Sequence, residues 1–76
     1  MKSARLSTMK VGQFFIGRAD LEVWRIIGWY LGRIGECPHV VSLAGENNIF
    51  AGCATPFGPF DTAEEATTAS LQLKEE

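Results

Sequence analysis

Histidine, cysteine and cationic side chains are all scarce in this chain, and each scarcity closes off a class of function. There is one histidine, there are two cysteines, and residues 38–73 contain no lysine or arginine. Two cysteines are too few for the disulfide framework of a small secreted domain. No stretch approaches about 18 consecutive apolar residues, so no membrane-spanning helix is predicted. The opening residues, Met1 to Thr8, lack the unbroken apolar run of a secretory signal. They are basic, contain serine and carry no acid, as organelle transit peptides do, but a cytoplasmic protein is the expectation. Neither Gly-x-Gly-x-x-Gly nor Gly-x-x-x-x-Gly-Lys-Ser/Thr occurs, so no phosphate loop is expected.

Apolar residues, by contrast, are plentiful. They make up 46% of 76 residues and include five phenylalanines, two tryptophans and one tyrosine. That supply excludes a disordered tail and is enough for one small core. Some of it is surplus for so short a chain, and a homodimer is the expected way to bury the remainder. Charge is split along the sequence: residues 1–34 carry +4 and residues 35–76 carry −6. The split suits two complementary halves meeting in a dimer, or a basic face for an acidic partner. Chance clustering of a few charges gives the same pattern.

Local patterns predict a small α+β single domain of order β-α-β-β-α, spanning residues 10–76, after a flexible N-terminal arm over residues 1–9. Val11 to Ile16 reads as a short strand, apolar on both faces. Over residues 20–34 the spacing of Val23, Ile27, Tyr30 and Ile34 predicts a helix, with Asp20 as N-cap, Glu22 in the first turn and Gly35 at the end. Gly28 and Gly32, four apart, would leave a groove on it for another backbone. A second reading makes Val23–Ile27 and Trp29–Leu31 two strands broken at Gly28. Residues 39–54 read as an antiparallel hairpin about Gly45-Glu46-Asn47-Asn48, with Leu43 facing Phe50, Val41 facing Gly52 and Val40 facing Cys53. Thr55 to Phe60 reads as a proline-stiffened connector. Asp61 with Glu64, and Thr62 with Glu65, are spaced as capping boxes and open a C-terminal helix over about 62–74.

Candidate chemistry is thin. Cys37, His39 and Cys53 are the soft-metal ligand types, one short of a structural zinc set, and their spacing matches no strong pattern. Cys37 and His39 share one side of a strand, but no carboxylate other than Glu36 is placed to orient the histidine as a base. Glu64-Glu65 and Glu75-Glu76 are adjacent on a helix and do not converge on one substrate. No metal, cofactor or enzymatic activity is expected. A nucleic-acid site would use Arg18, Arg25 and Arg33 among Phe14, Phe15, Trp24, Trp29 and Tyr30, against an isoelectric point near 5.3. A membrane-surface helix over 20–34 would need a more basic polar face.

The close of the chain, a hairpin followed by Pro-Phe-Gly-Pro-Phe-Asp-Thr-Ala-Glu-Glu-Ala, resembles the hairpin-then-helix ending of double-stranded-RNA-binding domains and of phage-integrase arm-type DNA-binding domains. The basic residues of those modules are missing here, so no functional residue is carried across. The sequence therefore predicts a non-enzymatic protein–protein interaction module, an accessory protein of a bacterium or phage in style. Its expected partners are a second copy and another, unidentified protein. Trp29, Tyr30 and Arg33 lead as contact residues, because aromatics and arginine dominate interface centres.

Overall fold

Phe15 and Ile16 are adjacent on one strand and fully buried, so they face opposite sides of a sheet and each needs its own core. In the computed structural model, which describes residues 1–33 and 35–76, both cores are present. Five antiparallel strands form one sheet: β1 (Phe14–Ile16), β2 (Val23–Gly32), β3 (Gly35–Ser42), β4 (Asn47–Ile49) and β5 (Phe57–Phe60). Their spatial order is β4-β3-β2-β1-β5, and a single helix, α1 (Ala63–Lys74), follows.

One face of the sheet is covered by the N-terminal segment and by the chain between β4 and β5. Phe15, Trp24, Ile26 and Val40 pack there against Leu6 and Met9, with Ala4, Phe50 and Ala54 beside them. The Phe50 ring meets Phe15 edge-on at 5.5 Å and Trp24 at 5.1 Å, which pins the β4–β5 crossover across the sheet. The N-terminal segment lies on that crossover: Leu6 and Ser7 donate their N–H groups to the carbonyls of Ala54 and Gly52. The expected free arm over residues 1–9 is therefore packed, because Leu6 and Met9 are spaced by one short 3₁₀ turn, Leu6–Thr8, and both point inward.

The opposite face is covered by α1, but only at one end. Ala66 and Ala69 sit on Ile16 and Val23, with Phe14, Leu21, Phe57, Phe60 and Leu73 around them. Alanines let the helix approach the sheet closely. Thr62 caps the helix as its sequence predicts, the hydroxyl accepting from the Glu65 N–H at 3.1 Å. Ser70 donates its hydroxyl to the Leu21 carbonyl at 2.6 Å and fastens the helix to the β1–β2 loop. Leu21 itself holds a left-handed backbone, φ 58°.

The α+β class and the C-terminal helix stand; the helix over 20–34 does not. That segment is β2, which pairs with β1 through Val23–Arg25 and with β3 along most of its length. A bulge between Ile26 and Gly28 inserts one residue and reverses the phase of the alternation. Both flanks of the bulge are apolar, so the shifted period imitates a helical stripe. The reading with two strands broken near Gly28 lies closer, although the strand is continuous. Ile34, the last residue of the supposed stripe, lies outside the described residues.

The predicted 39–54 hairpin exists about Gly45, whose φ of 91° suits glycine, but its register is tighter: Val41 faces Asn47 and Val40 faces Asn48. β4 then ends at Ile49, and residues 50–54 leave the sheet plane to form the crossover. The supposed connector over 55–60 contains β5, an edge strand on which Pro59 is tolerated because one side needs no N–H.

Candidate functional site

β2 runs past the other elements. At Ile26 it still has a neighbour on the β1 side: the Ile26 N–H donates to Gln13, and the Ile26 carbonyl accepts from Gly12. Lys10 to Gln13 then turn back, with the Gln13 N–H donating to the Lys10 carbonyl. From Ile27 to Gly32 the strand has β3 on one side and, among the described residues, no neighbour on the other, and α1 packs on the other end of the sheet. The outer parts of β2 and β3 thus project as a two-stranded ribbon, and the molecule measures 38 × 22 × 20 Å.

The three expected contact residues fall on this ribbon in different circumstances. Trp29 is opposite Pro38 and packs half-buried against the Leu6–Trp24–Ile26 core. Tyr30 is opposite Cys37 and is 56% exposed. Arg33 is exposed beyond the end of β2. Sequence reasoning passed over Leu31, the most exposed large apolar side chain among the described residues at 77%, and Ile27 at 40%. Their spacing as core residues of a supposed helix concealed them.

The three arginines of the nucleic-acid reading are not gathered into one patch. Arg18, in the β1–β2 loop, donates from Nε to the Thr55 carbonyl at 2.6 Å and lies 4.3 Å over the Phe57 ring. Arg25 is mid-strand, exposed, 6.0 Å from the centre of Phe14. Arg33 lies eight residues further on, roughly 26 Å along an extended chain.

Cys37 and His39 share the helix-side face of β3 by strand alternation, and the His39 side chain is partly exposed. Cys53 is elsewhere. It is exposed on the crossover, in a depression with Arg5, Ser7, Glu36 and Gly52, and not across from Val40 as the sequence register has it. Both thiols are free, and among the described residues no three His, Cys, Asp or Glu side chains gather as a metal set. A second depression is ringed by Asp20, Glu22 and Glu46 beside Trp24. The Trp24 Nε1 has no hydrogen-bond partner among the described residues. No helix of the described residues is long and apolar enough to cross a membrane.

Set against known proteins, the chain matches no family model, no curated protein and no solved structure.

Proposed function

We propose that this protein is a non-enzymatic protein–protein interaction module that associates first with itself and, through the same ribbon, with another protein. One observation carries the reading: the outer half of β2 presents Ile27, Tyr30 and Leu31 to solvent, beyond the reach of both coverings of the sheet. Tyr30 and Leu31 are neighbours on the strand and so expose apolar surface on both faces of the ribbon, and exposed apolar surface that is more than scattered single residues marks contact sites. Solution mass by light scattering, at low and high salt, tests it. A mass near twice 8.3 kDa at both salts supports an apolar self-interface. A monomer at every concentration removes self-association and leaves a foreign partner, protein or nucleic acid.

A nucleic-acid role draws on Arg25 and Tyr30, which are exposed on the same strand. Phosphate binding weakens steeply with salt. A single-stranded oligonucleotide that binds the wild type should bind the Arg25→Gln, Arg33→Gln double variant more weakly; equal binding excludes a site built on these arginines.

A further inference from the structure

The strand edges of this sheet are treated unequally. β4, at one margin, is three residues long, with Asn47 and Asn48 in it. β5, at the other, carries Pro59 and is lined by the N-terminal segment: Ser3 bridges to Phe57, and the Gly58 N–H donates to the Lys2 carbonyl. The outer end of β3 is followed by the crossover, where the Phe50 N–H donates to the Pro38 carbonyl and Gly52 rests on the Glu36 carbonyl. Shortness, polarity, proline and covering are the devices by which proteins blunt strand edges. The bulge between Ile26 and Gly28, a further such device, touches only the inner end of the β2 edge, and from Gly28 to Gly32 the edge has none of the others. The sequence from Ile27 to Gly32, Ile-Gly-Trp-Tyr-Leu-Gly, contains no charge and no proline, and no backbone group of it bonds outside the β2–β3 ladder among the described residues.

We infer that this edge is completed by the same edge of a second copy, antiparallel and two-fold, with Tyr30 beside Tyr30 of the second copy. The inference rests on the self-association proposed above and names its geometry.

Three constraints select that register. A two-fold axis normal to the sheet pairs residues whose numbers add to an even sum, because opposed residues must share a face. Gly12 and Gln13, just before β1, close the edge at Ile26, so the tip of the second ribbon cannot pass Ile27. Centring on Tyr30 places Arg33 of the second copy opposite Ile27 and fills the whole open length. Centring on Trp29 would drive Arg33 into the place that β1 occupies and set it against Arg25, charge against like charge.

Backbone direction agrees. Ile26 turns its N–H and carbonyl towards β1, and beyond the bulge the alternation puts Trp29 and Leu31 outward. In the Tyr30-centred register Trp29 meets Leu31 of the second copy, and Leu31 meets Trp29, giving about four backbone hydrogen bonds across the axis. The most exposed leucine then covers the half-buried tryptophan on the crossover side, and the two tyrosines meet on the helix side. Glycines at 28 and 32 fall opposite one another and leave room for the tyrosine rings.

The experiment is analytical ultracentrifugation of the full chain as wild type, Leu31→Pro and Leu31→Lys, with circular dichroism as the check on folding. Proline at an outward position removes only the intermolecular donor, so the fold should persist while dimer affinity falls at least tenfold. Lysine reads the same edge should the proline variant fail to fold. A cross-link completes the test. Tyr30→Cys in a Cys37→Ala, Cys53→Ser background should oxidise to a covalent dimer, whereas Leu43→Cys in that background should not. A wild-type dimer that survives both Leu31 changes, or a dimer that Tyr30→Cys does not cross-link, overturns the edge assignment while the interaction module stands. A wild type that remains monomeric at every concentration overturns this inference and self-association together.

Discussion

The two halves of β2 share a strand and the partner β3, yet they live in different solvents. In the inner half, Val23 lies under α1 while Trp24 and Ile26 lie under the crossover and the N-terminal segment, and β1 occupies the edge. In the outer half, Ile27, Tyr30 and Leu31 are exposed and the edge is open. Composition hardly separates them, since apart from Arg25 in the inner half neither carries a charge. What differs is the presence of neighbours on faces and edge, so the inner half holds this fold together and the outer half is available for contact.

The comparison can be broken most decisively at Phe15. Truncation to alanine should cost about 3–5 kcal/mol, read as a fall in the denaturant midpoint at unchanged slope. A cost below about 1 kcal/mol would move the core away from the inner half. Next in size is Gly52→Ala. A methyl there would run into the Glu36 carbonyl, which is backbone and cannot swing aside. Destabilisation of about 1–3 kcal/mol is expected from forcing them apart, and a neutral result would mean that the crossover does not press on β3. Ser70→Ala should cost about 1 kcal/mol through the lost bond to the Leu21 carbonyl. Thermal melting of the two proteins side by side measures it. The smallest effect belongs to the outer half: Leu31→Ser, compared at concentrations where both chains are monomeric, should leave stability within about 0.5 kcal/mol. A loss comparable to that at Phe15 would erase the distinction between the halves.

Sequence legibility follows the same division. α1 was readable because its signals are local: the Thr62–Glu65 cap and the small inward residues Ala66 and Ala69 need no knowledge of the sheet. The Gly45 turn was readable for the same reason. β2 was not, because its bulge is set by pairing with β3, and a one-residue phase change turns strand alternation into spacings of four and seven. β5 hid behind its prolines, which mark an edge as readily as a loop. Leu6 and Met9 looked like part of a polar arm because their partners lie far along the chain. Of the candidate contact residues, Tyr30 was found by residue type and is exposed. Leu31 was missed, because only the geometry of the open edge distinguishes it from a core leucine.

The docking of the N-terminal segment onto the crossover also fixes an order of events during synthesis. Residues 2–9 are made well before the groups they bond to, on Gly52, Ala54 and Gly58. Leu6 and Met9 can meet Phe15 and Trp24 early, but the Leu6 and Ser7 N–H groups must wait for the crossover, and their bonds to it then fasten the segment over the sheet in a late step. Contacts between such distant positions are slow to form, because a long loop has to close before they contribute anything. For the same interval the face carrying Phe15, Trp24 and Ile26 lacks Phe50 and Ala54 over it, so the nascent chain passes through a stage stickier than the finished molecule.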